Sequence, residues 1–399
     1  MGGGERHLAT ILEQLVQRGH SATVLTLDAA RQPDMSRPAG AGLPAHEVRR
    51  GVRIHRMTPG GGPLGAVAQW LNTRRGGYRL LQLLSGGLAD EIACVPSPLG
   101  FLSALMRSRI DVVLATNWWS NIPLFGTLVA HHRRIPVVGL PLLHITRPWA
   151  SRPALHKVIR LADCTVGLTA SERIHQEALG AVRSTVIGCG LDMGWGESTD
   201  AAAARQRLGL GRHPVIASVG RQDERKGTPT LLAAMQRVWQ RQPEARLLLA
   251  GQRSHRDRAT AAALEHLSAG ERARVVTVDD FDDADAPDLF AACDVLAQPS
   301  VEESFGLVLL EAWMMGRPVI GADIPATRDV ISNGEDGLIV PPMDPSALAE
   351  AILGLLGSPE RRIRMGQRGR AKVLTRYTVP VMVDAWEALL REVSAQRPV

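Results

Sequence analysis

Short apolar runs alternate with stretches of helical periodicity from one end of this chain to the other, and few architectures absorb such a pattern. In the first half, apolar runs at 21–26, 52–57, 111–116, 136–140, 164–168 and 185–187 read as strands. Helical stretches fall between them, at 5–18 (Leu8, Ile11, Leu12, Leu15 and Val16 on one stripe), 124–132 and 172–179. Strand and helix alternating at this spacing predict parallel strands joined by crossover helices. Around 189–212 the pattern breaks at Gly190, Gly194, Gly196 and a run of alanines, the expected linker and first helix of a second domain. Alternation then resumes, with strands at 215–219, 246–250, 274–278, 295–297, 318–320 and 337–340. Helices are predicted at 230–239, 261–267, 307–315, 346–356 and 359–374. A last helix, 380–394, carries Val381, Val383, Trp386, Leu389 and Leu390 as its apolar face. At 399 residues the chain is long for one core. The expectation is an α/β protein of two facing, doubly wound, Rossmann-like domains, residues 1–190 and 191–375. A closing helix within 376–399 is expected to pack back toward the first domain. Ligands of such sheets bind beyond the carboxyl ends of the strands, so the active site is expected in the interdomain cleft.

Composition narrows the class. Hydrophobic residues make up 45% and charged residues 22%, as in ordinary globular chains. No apolar run reaches the roughly 18 residues of a membrane span, and no signal-peptide pattern opens the chain. Cys94, Cys164, Cys189 and Cys293 form neither a CxxC nor a Cys/His cluster, which predicts buried thiols, a cytoplasmic setting and no structural metal. Residues 1–190 hold 21 Lys+Arg against 11 Asp+Glu, whereas the rest of the chain is net acidic. This is either a solvated surface or a face for an anionic partner, such as a lipid surface at the inner membrane or a phosphorylated acceptor. The cations form no stripe interleaved with aromatics, which argues against nucleic acid. Only three of the 46 basic residues are lysines, Lys157, Lys226 and Lys372, so each draws notice.

Two segments carry the chemistry. Glu303-Ser304-Phe305-Gly306-Leu307-Val308-Leu309-Leu310-Glu311 separates two carboxylates by seven residues, with a helix starting near Gly306. Open backbone N–H groups at a helix start suit a phosphate or sugar oxygen. Glu303 before the helix can accept from sugar hydroxyls, and Glu311 inside it can chelate a ribose diol. The alternatives are a capping residue and a surface residue, although an unpaired carboxylate beside Leu309, Leu310 and Ala312 is costly. In the second segment, Val219 ends a strand, and Arg221 and Lys226 follow five residues apart before a helix. A charged loop alone is mostly a solvated one. At a strand's carboxyl end, these cations are placed to neutralise a diphosphate, whose bridging oxygen gains charge as a glycosidic bond breaks.

With these residues the chain resembles retaining glycosyltransferase family 4, of GT-B architecture. The resemblance rests on Glu303 to Glu311, the preceding Ala292-Cys293-Asp294-Val295 and Gln298-Pro299-Ser300, and Gly220-Arg221 with Lys226-Gly227. It extends to Asn333-Gly334-Glu335-Asp336-Gly337, to Gly3-Gly4-Glu5-Arg6-His7 with Arg18-Gly19-His20, and to Gly190-Leu191-Asp192. It implies an acceptor-binding first domain and a second domain that binds a nucleotide sugar. Arg221 and Lys226 would hold the donor diphosphate. Glu303 and the backbone of Ser304, Phe305, Gly306 and Leu307 would hold sugar hydroxyls and phosphate, and Glu311 the ribose. Gly3 and Gly4 would form the glycine loop aimed at the donor, and His144, ending Pro141-Leu142-Leu143-His144, would face the donor sugar. His144, Arg221, Lys226 and Glu303 are thus the expected catalytic set.

The expected activity is retaining hexosyl transfer from a UDP- or GDP-linked sugar to a small-molecule, glycan or lipid hydroxyl. No cofactor and no metal are expected, because Arg221 and Lys226 stand in for a divalent ion. A GT-B sugar-nucleotide epimerase and a non-catalytic sugar-nucleotide binder are the alternatives; the pattern argues against a dehydrogenase, since no strand leads into G-x-G-x-x-G with an acidic residue about 20 positions later. The chain departs from the family in three places. It starts at Met1-Gly2-Gly3-Gly4 without the family's first strand, so an apolar strand is expected upstream. Pro325-Ala326-Thr327-Arg328-Asp329 replaces the family's Gly-Gly-x-Pro-Glu, and Asp279-Asp280-Phe281-Asp282-Asp283 makes the base-binding neighbourhood acidic.

Overall fold

Aliphatic runs such as Val215–Val219 and Val319–Ala322 are buried at every position, as strands covered on both faces must be. In a computed structural model, residues 3–27, 44–57, 105–106, 109–116, 122–146, 153–253 and 257–396 are described. The chain divides into two units, one of residues 1–187 with 382–399 and one of residues 188–381.

The second unit is built on a six-stranded, all-parallel sheet. Its strands are β8 (Val215–Val219), β9 (Arg246–Ala250), β10 (Val275–Val278), β11 (Val295–Gln298), β12 (Val319–Ala322) and β13 (Gly337–Val340). Their order is β10-β9-β8-β11-β12-β13, so the chain runs outward from β8 in one direction and from β11 in the other. Helices α5 (Ala201–Arg207), α6 (Thr228–Arg241), α7 (Arg258–Glu265), α8 (Ala269–Arg272), α9 (Ala286–Ala292), α10 (Leu307–Met314), α11 (Pro325–Val330), α12 (Pro345–Leu356) and α13 (Pro359–Arg376) supply the crossovers and cover the sheet. Leu231, Met235 and Trp239 of α6 join Ile320, Leu348 and Ile352 in its main core.

Lys372 of α13 is sunk into this unit rather than displayed on it. Its ammonium donates to Val330 O (2.9 Å), to Ser332 Oγ (2.9 Å) and to the buried carboxylate of Asp336. It also lies 5.0 Å from the ring centre of Trp313 in α10, and Trp313 Nε1 donates to Asp336 O (2.8 Å). The three donors of one ammonium therefore tie α13 to the end of α11 and to the turn before β13, while its charge lies against the Trp313 ring of α10.

In the first unit, β4 (Val113–Thr116), β5 (Val137–Leu140), β6 (Cys164–Gly167) and β7 (Ser184–Val186) form a parallel sheet in that order. Helices α2 (Ile122–His132), α3 (Pro153–Leu161) and α4 (Ala170–Ala178) belong to it. A separate sheet, β1-β3-β2, follows α1 (Gly3–Gln17) and comprises β1 (Thr23–Leu27), β2 (His46–Arg49) and β3 (Val52–Met57). Purely parallel strands were expected, and β2 corrects this. It pairs antiparallel to β3 across a two-residue turn whose Arg50 and Gly51 both have positive φ, 47° and 82°. Its residues, His46, Glu47, Val48 and Arg49, are mostly exposed and form no apolar run, so local turn geometry and pairing made this strand. Among the described residues, β1 pairs with β3 alone and β4 with β5 alone.

The last helix, α14 (Val379–Ala395), enters the first unit at Met382. Arg18 and His20 hold Glu387 at 2.7 and 2.9 Å, and Arg183 grips Glu392 with both ends of its fork at 2.7 Å. Arg18, His20 and Arg391 together keep the Glu387 carboxyl down at about 2. The buried stripe is Met382, Val383, Trp386, Leu389 and Val393, whereas Val381, expected on the apolar face, is 44% exposed. Val381 lies a residue off the stripe through Met382, Trp386, Leu389 and Val393. Among the described residues no helix is long and apolar enough to cross a membrane.

Removing the Lys372 charge strands Asp336 in the interior. Lys372→Met should lower the urea-unfolding free energy of the second unit by roughly 3 kcal/mol, the usual penalty for breaking one side of a buried pair. An unchanged unfolding midpoint would mean that Asp336 finds water instead.

Candidate active site

The centre of the second unit's sheet is where chain order reverses. β8 and β11 are neighbours there, with Ile216 opposite Val295 and Ala217 opposite Leu296. The loops leaving their carboxyl ends are the two segments singled out by charge. After β8, Asp223 caps a single 3-10 turn (Glu224–Lys226) by accepting from the Lys226 N–H, and its carboxylate also pairs with Arg225 at 2.9 Å. Gly227, at φ 75°, then opens α6. After β11, the loop runs through Ser300 and Glu303 to Gly306, at φ 92°, which opens α10.

Neither helix start carries a side-chain cap. A side chain is also barred from residue 227, because a Cβ there would stand 2.1 Å from Pro299 O. The two loops therefore back onto each other, and Val301 N–H donates to Arg225 O at 2.9 Å. Two amino ends of helices, each the positive end of a dipole, flank the switch in strand order.

Lys226 and Glu303 meet here. Lys226 Nζ donates to Glu303 Oε1 at 2.5 Å, and Ser300 Oγ donates to the same oxygen at 3.0 Å. A directed chain of hydrogen bonds runs back into the sheet. Ser218 Oγ donates to Gln298 Oε1 (3.2 Å), and Gln298 Nε2 donates to Ser300 Oγ (3.2 Å). Ser218, Gln298 and Ser300 are all buried. These three were not anticipated from the sequence as site residues. A polar residue within otherwise aliphatic strands was the available signal, since buried polar groups require partners.

Glu303 caps nothing: the residue at the cap position of α10 is Gly306. Glu311 sits inside α10 with only 2% exposure, so it is no surface residue. Arg221 is exposed at the head of the β8 loop, while Phe305 is buried against Tyr377, their ring centres 5.5 Å apart. Gln222, next to Arg221, is locked by two donations from its Nε2, to Gly220 O at 2.9 Å and Ala250 O at 3.0 Å. Beyond β8, β9 and β10 a cavity of about 710 Å³ opens, lined by Gln222, Gln252, Arg253, Asp257, Thr260, Asp279 and Asp280 among others. Two residues of the acidic segment thus form its wall, with Asp279 paired to Arg253 at 2.9 Å. Among the described residues, no group of three or more His, Cys, Asp or Glu side chains is arranged to hold a metal ion. Cys164, Cys189 and Cys293 are buried free thiols, and burial pushes Cys293 up to about 12; Cys94 lies outside the described residues.

The first unit holds the remaining candidates. Residues 141–144 follow β5, with Leu142 at φ 54°, and His144 is half-buried. The amino end of α1 lies against this turn, since a Cβ on Gly4 would come 3.1 Å from Leu142 Cδ1. Gly3 has open space around it.

Comparison with known proteins gives the family and the fold. Residues 213–358 match the family described as glycosyl transferases group 1, and residues 2–190 match the glycosyl transferase 4-like domain. D-inositol 3-phosphate glycosyltransferase of Rhodococcus jostii is 36% identical over 373 residues, 90% of this chain and 78% of that one. The chain spans about half the length of several other relatives of that name. Sucrose-phosphate synthase of Thermosynechococcus elongatus superposes with a TM-score of 0.75 at 22% identity, covering 99% of this chain and 94% of its own. HepE of Anabaena, solved with UDP and glucose, gives 0.73 at 21%, covering 98% and 96%. The chain belongs to the group 1 glycosyltransferases, family 4, and has the GT-B fold.

Two buried titrating groups of the first unit oppose each other. Burial pushes His7 of α1 from 6.5 down to about 4, so its stabilising contribution is present above pH 6.5 and lost as pH falls through 4. Burial raises Glu172 of α4 from 4.5 to about 7, against backbone hydrogen bonds that lower it. Its contribution is present below pH 4.5 and lost as pH rises through 7. Between those limits the two slopes cancel. Glu172→Gln should leave the His7 slope exposed, with stability rising by about 3 kcal/mol from pH 4 to 7, and His7→Gln should fall by a similar amount. Urea titrations at stepped pH measure both, and parallel profiles in the two variants would refute the opposition.

Proposed function

We propose that this chain is a retaining glycosyltransferase that moves a hexosyl group from a nucleoside-diphosphate sugar to an acceptor hydroxyl without a metal. One observation carries it: the Lys226–Glu303 pair stands between two uncapped helix starts at the switch in strand order. That arrangement offers an anion two sets of N–H groups and two cations, Lys226 and the exposed Arg221.

In this proposal the donor diphosphate lies across the starts of α6 and α10, neutralised by Arg221 and Lys226. Among the described residues, both bonds to Glu303 fall on Oε1, which leaves Oε2 for donor-sugar hydroxyls. Glu311 takes the ribose, and the adjacent 710 Å³ cavity takes the base. As the anomeric C–O bond breaks, negative charge grows on the bridging phosphate oxygen, and preformed positive charge at Lys226 stabilises it. The acceptor hydroxyl attacks from the face the diphosphate leaves and passes its proton to the departing phosphate. Retention follows, and no protein nucleophile is needed. His144 faces the donor sugar from the first domain, with Gly3 and Gly4 beside it.

The UDP and glucose bound by HepE support a UDP-linked donor, although the acidic wall at Asp279 and Asp280 keeps GDP in the trial set. The inositol phosphate in the relatives' name and the basic character of residues 1–190 support an anionic acceptor, with a cyclitol phosphate tried first. Contact of that basic half with an anionic membrane face belongs to the same proposal.

A thermal-shift screen of nucleotide sugars finds the donor by mass action. Nucleoside diphosphate released only when acceptor is present then separates transfer from epimerisation. With that assay, Lys226→Ala should cut kcat by about a hundred-fold or more. Lys226→Arg should also be slow, because a planar fork cannot copy a point charge. Near-normal rates in both would put the diphosphate elsewhere.

A further inference from the structure

Glu172 does more than its place in the chain requires. Thr169 is the cap residue of α4, and the Glu172 N–H donates to Thr169 Oγ1 at 3.3 Å. In a Thr-x-x-Glu start, the glutamate ordinarily folds back onto the cap residue's own N–H. Here the carboxylate goes elsewhere. Oε2 accepts from Leu168 N–H at 2.8 Å, at the end of β6. Oε1 accepts from Leu143 N–H at 2.6 Å, in the turn after β5. The carboxylate is 1% exposed, so a costly buried group has been spent on joining the carboxyl ends of two adjacent parallel strands.

The peptide it grips is a demanding one. Leu142, just before Leu143, has φ 54°, a left-handed conformation that a leucine adopts at a cost. The Leu142 side chain lies against Gly4, and His144 follows Leu143 directly. Such strain persists only where the surroundings over-determine it. The bond from Leu143 N–H to Glu172 ties down the residue between Leu142 and His144.

We propose that Glu172 is a positioning residue for catalysis: its carboxylate, clamped between the N–H groups of Leu143 and Leu168, holds the 141–144 turn in the conformation that presents His144. The inference rests on the proposed transferase function, in which this turn meets the donor sugar. A glutamine at 172 has one acceptor and one donor where two acceptors are needed, so one of the two N–H groups is left facing an NH₂. Glu172→Asp keeps both acceptors but shortens the reach across to Leu143.

Two readouts test it. The first needs no substrate. In Glu172→Gln the Leu143 amide should exchange with solvent at least ten-fold faster, and the His144 ring resonances should shift, while amides of the six-stranded sheet keep their protection. The second is kinetic, using UDP-glucose or GDP-mannose with D-inositol 3-phosphate. Glu172→Gln should lower kcat ten- to a hundred-fold while the Kd for UDP or GDP stays within two-fold. Combined with His144→Ala, it should be no slower than the slower single variant, because both act through one turn. If Glu172→Gln folds poorly, Glu172→Asp is read in the same way.

Unchanged Leu143 exchange and His144 resonances overturn the proposal, and so do kinetic losses that multiply in the double variant. The transferase function fails separately: no nucleotide sugar then yields nucleoside diphosphate in the unsubstituted protein, yet the exchange and resonance shifts still report on the clamp. A fast His144→Ala beside a slow Glu172→Gln overturns the proposal as well, because presenting His144 would then not be what Glu172 contributes.

Discussion

A parallel sheet buried on both faces leaves polar chemistry only one place to go, its carboxyl edge. Strands β8, β11 and β12 are buried at every residue, so a charged side chain within them would meet hydrocarbon on either side. What polarity they do carry, Ser218 and Gln298, sits at the last or next-to-last position and bonds outward. From there a line of oriented donors reaches Ser300 and then the carboxylate that holds Lys226. The sheet does not merely support the loops; it sets the angle of Glu303 through hydrogen bonds whose polarity runs one way. Buried networks of this kind are stable only when every member is satisfied.

The same economy governs the first unit with a different residue. Glu172 joins the ends of β5 and β6 as the serine–glutamine line joins the loops after β8 and β11. Its burial is expensive when it is ionised, which is why its pKa lies near 7 rather than 4.5. A carboxylate that grips two N–H groups in its ionised form, above pH 7, therefore destabilises the fold that contains it. Strain and unfavourable charge of this order are what active-site architecture commonly carries, with compensation in the surrounding core.

How much of this could be read in advance depends on range. Strands β8 to β13 lie within two residues of their expected bounds, because an aliphatic run between turn residues has few other uses. Strand β2 escaped, since Glu47 and Arg49 give no apolar signal and only pairing with β3 makes them extended. Glu303, Glu311, Arg221 and Lys226 were legible as charges in apolar surroundings or at strand ends. The partnership of Lys226 with Glu303, 77 positions apart, was not. Nor was Glu172, whose local pattern is that of an ordinary helix start and whose second partner, Leu143, is brought near only by strand pairing.

Lysine usage ties the two scales together. Arginine serves nearly every other cationic position, yet Lys226 and Lys372 remain, and both are half-buried or deeper against a carboxylate. At Lys372 the reason is stereochemical. Three acceptors, Val330 O, Ser332 Oγ and Asp336, surround one nitrogen with the Trp313 ring nearby, and only an ammonium points donors in three directions from a single centre. A guanidinium would spread its donors in a plane and add bulk to a filled interior. At Lys226 the side chain is 21% exposed and reaches the Glu303 carboxylate. There the carboxylate of Glu303 is the acceptor the protein provides, and the proposed function gives the remaining N–H bonds to the donor diphosphate. One lysine is saturated and holds the fold, and the other is unsaturated, as a proposed anion site requires. The difference between them is set by how many acceptors the protein itself provides.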